Sequence, residues 1–193
     1  MGYFPAFIKF DTKKIVVIGG GNIATQKISH LLDFTNDITI IANFISPTLK
    51  QISKQHNLNY QLKSYKQGDI KGYDIVIVAV DDIDLQKNIY DESKQYNNCL
   101  VNSVDNTKYC DFIFPSYIKT ENLTIAISTN GSSPAFTRQL KLYLKQLIPK
   151  DIDQFLEEMK TKRKTIPKGE NRMDYFKQKA KDYIQNWGKT DEI

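Results

Sequence analysis

The stretch that most constrains this chain is Lys13 to Leu32, KKIVVIGGGNIATQKISHLL. Four β-branched apolar residues, Ile15 to Ile18, run into Gly19, Gly20 and Gly21. An amphipathic helical pattern follows, with Ile23, Lys27 and Ile28, and Leu31 and Leu32 at helical spacing. Gly19 to Ala24 fits G-x-G-x-x-A, the small-residue form of the dinucleotide-binding turn. Each small residue has a physical use in such a turn. Gly19 permits a tight exit from the strand, Gly21 lets the backbone approach a pyrophosphate, and Ala24 lets the helix lie close to the strand. The helix N-terminus then offers unpaired N–H groups and a positive dipole end to a phosphate. A glycine-rich turn that binds nothing is the plainer alternative, at a cost in backbone entropy.

The rest of the chain is read around that turn. Phe4 to Phe10 is a strand candidate beside the glycine-turn strand. Asp37 to Ala42 is a second buried strand, and Ser46-Pro47 starts a helix running to about His56, with serine as cap and proline in the first turn. Tyr60 to Tyr65 is a third strand with alternating pattern. Tyr73 to Val80 is the most strand-like stretch, and its nearly continuous apolar run implies burial on both faces, as in a parallel sheet. Asp81-Asp82 caps a helix through about Tyr96, and Cys99 to Asn102 is another short strand. Strands alternating with helices predict an α/β, Rossmann-like, doubly wound parallel sheet over residues 1–112. Ligands of such sheets sit outside the carboxyl ends of the strands, so the loops after Ile18, Ala42, Val80 and Val101 converge on one site.

Beyond Asp111 the pattern changes. Phe112 to Pro115, Tyr117 to Lys119 and Leu123 to Ser128 are short strands too closely spaced for βαβ units, and Gly131 to Pro134 open a helix to Leu147. A few strands and one helix bury little alone, so this small α+β segment, 113–149, is expected to pair with a second copy. Two charged helices, about 152–164 and 171–186, form a C-terminal helical domain over 150–193.

Composition narrows the function classes. With no apolar run near the ~20 residues of a membrane span, and no signal-peptide pattern at the N-terminus, no membrane association is expected. The formal charge of +5 comes without a basic, aromatic-interleaved stripe, which argues against nucleic acid. Cys99 and Cys110 have no metal-ligand spacing and read as free thiols of a cytoplasmic protein; no metal site is expected. His30 and His56 fall within helical stretches and read as structural.

Several residues mark the expected site. Asn43 stands after the second strand, where NAD-preferring folds often carry Asp or Glu on the ribose 2′-hydroxyl. Its amide still reads a hydroxyl and repels a 2′-phosphate less than a carboxylate does. Asp81, Asp82 and Asp84 cluster at a strand's carboxyl end, either capping the following helix or, for Asp81, touching a cofactor. Asp105 lies just past another strand end, as a turn residue or as a lone carboxylate that serves as general base or orients a cationic substrate nitrogen.

Taken together, FPAFIKFDTKKIVVIGGGNIATQK, ITIIANFISP, IVIVAVDDIDLQKNI and LVNSVDNTKYCDFIFPSYIKTENLTIAISTNGSSPAFTRQLKLYL occur in the order found in one family. The chain resembles the precorrin-2 dehydrogenases and sirohydrochlorin ferrochelatases that form the N-terminal module of siroheme synthase. The resemblance covers residues 1 to about 150 well and the rest loosely. It implies a homodimer that oxidises the tetrapyrrole precorrin-2 to sirohydrochlorin, with NAD accepting the hydride. By position it carries cofactor contacts onto Asn22, Ile23, Asn43 and Phe44, beside the three glycines, and a catalytic carboxylate onto Asp105. Thr129 falls where some members carry a serine near the tetrapyrrole, whereas Asn130-Gly131 departs from the family's Gly-Gly. Arg138 and Lys27 are candidate cations for a substrate rich in carboxylates. Two alternatives are a bifunctional enzyme that also inserts ferrous iron, and an NAD-sensing regulatory domain.

Overall fold

The computed structural model of the chain describes residues 2–96, 99–104, 106–185 and 187. Contacts divide the chain into two compact units, Met1–Ile113 and Phe114–Ile193. The first alternates strand and helix: β1 (Ile15–Ile18), α1 (Asn22–Leu31), β2 (Ile38–Ala42), α2 (Pro47–Gln55), β3 (Asn59–Leu62), β4 (Ile75–Val78), α3 (Ile83–Ser93) and β5 (Leu100–Ser103). A short 3-10 turn, Thr107–Tyr109, follows. All strand pairs are parallel, in the order β3-β2-β1-β4-β5, which is the expected doubly wound sheet.

The sequence accounts for this arrangement. Every residue of β1 and β4 is buried, as their unbroken Ile/Val runs require of central parallel strands. Val16, Ile18, Val76, Val78 and Val101 pack on one face with Ile70 and with Ile89 of α3. Helix α1 buries Ala24, Ile28 and Leu31, three positions on one helical stripe. Asp74 joins the starts of the two central strands, accepting hydrogen bonds from Lys14 N (3.0 Å) and Lys13 Nζ (3.0 Å). A buried carboxylate, Glu92 on α3, accepts from the Tyr65 hydroxyl (2.5 Å), Gly68 N (2.8 Å) and the Tyr96 hydroxyl (3.1 Å). It thereby fastens the connection between β3 and β4 to the helix.

Three readings of the sequence are corrected here. Residues 4–10 form no strand, and Phe4 and Phe7 stand exposed. The reason is topological: β1 is hydrogen-bonded on both sides, to β2 and β4, and leaves no edge to pair with. The third strand is shorter than its alternation suggested, and all of its residues are exposed at the sheet edge, Tyr60 and Leu62 included. Residues 112–115 are likewise irregular rather than a strand.

The second unit holds an antiparallel hairpin, β6 (Ser116–Lys119) and β7 (Thr124–Ile127), followed by α4 (Pro134–Leu147), α5 (Ile152–Thr165) and α6 (Glu170–Ile184). Helix α4 packs on β6. The Asp153 carboxylate of α5 accepts from Thr120 Oγ1 (2.6 Å) and Asn122 N (2.7 Å), tying the C-terminal helices to the hairpin turn. Phe155 and Tyr183 stack at 3.9 Å between α5 and α6, and the Tyr183 hydroxyl donates to Asp151 (2.8 Å). Charge is divided unevenly. Residues 1–113 carry twelve Lys and Arg against twelve Asp and Glu, whereas residues 114–193 carry fifteen against ten. The whole net charge of +5 therefore belongs to the second unit. Among the described residues no helix is long and apolar enough to cross a membrane.

Candidate functional site

In the first unit the chain leaves β1 in one direction, through α1 to β2 and β3, and fills the other side with β4 and β5. The loops after β1 and β4 part at this reversal, which opens the crevice where such sheets hold their ligands. Gly19 N donates to Ile41 O (2.9 Å) and Ala79 N to Ile18 O (2.7 Å), so the loop is fixed to both neighbours as it leaves the sheet.

The three glycines have different reasons to be glycine. Gly19 has a φ of +123°, and a Cβ there would strike the Ala79 carbonyl. Gly20 lies against the loop after β2, where a Cβ would fall on the Phe44 carbonyl oxygen. Ser46 N also donates to Gly20 O (2.8 Å), and the Ser46 hydroxyl lies 3.2 Å from that of Thr25. Gly21 differs, because a Cβ on it would meet nothing within 4 Å. Packing explains the first two, while the third fronts open space at the start of α1.

The end of α1 at that space carries no side-chain cap, and its first turn holds no acid. The next three helices are each capped, by Ser46, Asp82 and Ser133, whose side-chain oxygens accept from Leu49 N, Leu85 N and Phe136 N. Unsatisfied N–H groups and a positive dipole end thus meet a position without a side chain, an arrangement suited to an anionic group. A dinucleotide's pyrophosphate fits it. Asn22 and Ile23 begin the helix, with Ile23 40% exposed, and Phe44 is 66% exposed beside Gly20.

The structure brings Gly19, Gly20, Gly21, Asn22, Ile23, Asn43, Phe44 and Asp81 to the carboxyl edge of one sheet. In the acidic cluster the capping role falls to Asp82, whose Oδ1 accepts from Leu85 N at 2.9 Å, and Asp84 lies in the first turn of α3. Asp81 stands exposed just ahead of them. Asp105 lies outside the described residues. Its flanks are fixed: Val104 N donates to Val78 O (3.0 Å), and Cys110 Sγ accepts from Ser103 N (3.2 Å) while lying 3.3 Å from Asn106 O. Burial pushes the Cys110 thiol above its ordinary range, against the pull of that Ser103 N–H and of Lys27. At the same strand end Asn102 Oδ1 and Ser103 Oγ are buried with no hydrogen-bond partner among the described residues. Both cysteines are free.

Thr129 and Arg138 belong to the second unit. Thr129 Oγ1 accepts from Ser133 N (3.0 Å) in the left-handed turn through Asn130 (φ 51°) and Gly131 (φ 84°), and Arg138 is exposed on α4. Sequence reasoning missed Thr25, Ser64 and Ala79. Nothing in periodicity marks them, since each acts by meeting a loop from another strand.

Residues 6–116 match the family model described as "Putative NAD(P)-binding". The chain belongs to that NAD(P)-binding family. Residues 121–146 of this NAD(P)-binding chain match a second model, "Sirohaem biosynthesis protein central". The chain is 32% identical over 157 residues to siroheme synthase 1 of Serratia proteamaculans, covering 81% of this chain and 33% of the relative. It is 34% identical over 154 residues to siroheme synthase of Pseudoalteromonas atlantica, covering 79% and 33%. The NAD(P)-binding chain thus spans about a third of the length of these relatives. A solved structure titled SirC, precorrin-2 dehydrogenase, shares the fold, with a TM-score of 0.70, 24% identity, and coverage of 88% of this chain and 85% of that one.

Proposed function

We propose that the chain oxidises precorrin-2 to sirohydrochlorin, with NAD as the hydride acceptor, in siroheme biosynthesis. The observation that carries this reading is the order of the two matched regions, a nucleotide-binding segment over 6–116 and then a sirohaem-biosynthesis segment over 121–146. NAD supplies the electron sink. The chain's own part is to hold the pyrophosphate on the uncapped start of α1, at Gly19 to Ile23, and the adenosine end beside Asn43, Phe44 and Asp81. Oxidation also releases a proton, and we assign its removal to the Asp105 carboxylate. Thr129 and Arg138 are assigned to the substrate. The net positive charge of residues 114–193 favours a ligand bearing many carboxylates. We assign the functional form to a cytoplasmic homodimer formed through residues 113–149, where Phe136 (57%) and Tyr143 (58%) lie exposed two turns apart on α4.

Purified protein supplied with precorrin-2 and NAD should yield sirohydrochlorin with NADH absorbance rising in step. Absence of NAD-dependent turnover sinks the proposal. The Asp105→Ala variant should lose turnover while keeping NAD affinity, and full activity in it removes Asp105 from the chemistry. Metal uptake by sirohydrochlorin, compared with and without the protein, tests whether chelation accompanies dehydrogenation.

A further inference from the structure

The strand that follows the glycine-turn unit sets the other end of the nucleotide site. β2 and β3 pair in parallel with Ala42 opposite Leu62, and Lys63 N donates to Ala42 O (3.0 Å). Asn43 and Ser64 therefore emerge side by side from the carboxyl ends of adjacent strands, both exposed. The Ser64 hydroxyl donates to Asn43 Oδ1 at 2.8 Å. That bond orients the amide and takes one lone pair of its oxygen, and Nδ2 has no acceptor among the described residues. An amide nitrogen only donates.

The carboxylate nearby is paired. Lys63 Nζ pairs with Asp69 Oδ1 at 2.6 Å, and Lys66 N donates to the other Asp69 oxygen at 2.8 Å. Burial works against the charged form of Asp69, yet the Lys63 and Lys66 donors hold its carboxyl below the usual range. Asp69 is thus a paired carboxylate, while Lys66 meets it through its backbone N–H and its ammonium joins no ion pair among the described residues. In a sheet of this topology the residue after the second strand faces the ribose 2′ position of a bound dinucleotide. A carboxylate there selects NAD in two ways, by accepting from the 2′-hydroxyl and by repelling a 2′-phosphate. An amide carries no charge to repel a 2′-phosphate, and its N–H donates to a hydroxyl oxygen or to a phosphate oxygen.

We infer that this site takes NADP as readily as NAD, with Ser64 holding the Asn43 amide so that it donates to the oxygen at the ribose 2′ position. The inference rests on the nucleotide reading of the proposed function. Calorimetric titration of the full chain with NAD and with NADP tests it. The expected result is two dissociation constants within roughly tenfold of each other, the scale set by a phosphate facing one exposed carboxylate. NAD binding with NADP weaker by more than that overturns the inference and leaves the proposed function standing. Binding of neither nucleotide overturns both. Asn43→Asp should raise the ratio of the NADP to the NAD dissociation constant roughly tenfold, by placing a carboxylate against the phosphate. An unchanged ratio removes Asn43 from cofactor selection. Ser64→Ala should weaken NADP more than NAD with no change in melting temperature, and Ser64→Thr, which keeps the hydroxyl, should restore the original ratio. Equal affinities in Ser64→Ala and the parent chain overturn the role given to Ser64.

Discussion

Gly20 and Phe44 are locked together through the backbone: the space a Cβ on Gly20 needs is filled by the Phe44 carbonyl oxygen. The turn after β1 and the loop after β2 are therefore one packed unit, although 24 positions separate the two residues in sequence. This distinguishes the second glycine of the run from the third, which meets nothing within 4 Å.

Gly20→Ala and Gly21→Ala should fail differently. The first drives a methyl group into backbone that has no rotamer to escape by, and should lower stability by about 1–3 kcal/mol. The second sits at ordinary negative φ with open space around it, so its melting temperature should stay close to the parent's. Its added methyl occupies the space in front of the α1 N-terminus, and nucleotide affinity should fall instead. Paired thermal melts and titrations separate the two effects, and a Gly21→Ala protein with parental affinity contradicts the placing of the pyrophosphate.

Asp74 gives a pH-dependent expectation. The Lys14 N–H and the Lys13 ammonium hold its carboxyl below the usual carboxylate range. A depressed folded value means that the stabilisation is present above the unfolded value of about 3.9 and is lost as pH falls through the folded one. Asp74→Asn should therefore be less stable than the parent at neutral pH by about 1 kcal/mol. The gap should begin to narrow below about pH 4 and close once pH has fallen below the depressed folded value. A gap that is independent of pH assigns the loss to packing rather than charge.

Glu92 is a harsher test, because it is 4% exposed and its oxygens serve three donors. Glu92→Ala leaves two tyrosine hydroxyls and the Gly68 N–H without their acceptor, a loss of about 2–3 kcal/mol. Burial, with the neighbouring carboxylate second, raises the Tyr65 hydroxyl far above its ordinary value, so this contact should persist through alkaline pH. Denaturant unfolding at pH 7 and pH 10 should show the same difference between variant and parent; one confined to pH 7 contradicts it.

The proposed homodimer predicts that Phe136→Glu combined with Tyr143→Glu shifts the chain to monomer. These side chains share one face of α4 and are already exposed, so the variant's helix content should not change. Sedimentation and circular dichroism together check both halves of the statement. A parent chain that sediments as a monomer at micromolar concentration removes the dimer from the proposal.

Much of the fold was legible because its strongest signals are local. The Ile/Val runs of β1 and β4, the Ser46-Pro47 start of α2, the cap within Asp81-Asp82 and the opening of α4 at Gly131 to Pro134 all fall where composition placed them. The failures are non-local. Phe4 to Phe10 has strand composition but no free edge to join, a fact decided by the position of β4 some seventy residues later. Tyr60 and Leu62 look half-buried in sequence, yet the edge they occupy is covered by nothing in the described chain. In the candidate site, the glycine turn and Asn43 could be read directly, while Ser64 becomes visible only once the register of β2 against β3 is known.

The interlock of Gly20, Phe44 and Ser46 also bears on the kinetics of cofactor capture. Backbone contacts and the Ser46–Gly20 hydrogen bond set the spacing of these two loops when the domain folds. A nucleotide arriving there has no loop to order, so the entropy of shaping this part of the site is not charged against its affinity. Association should follow diffusion and viscosity, with single-exponential binding traces and no slow isomerisation phase arising from this corner of the molecule.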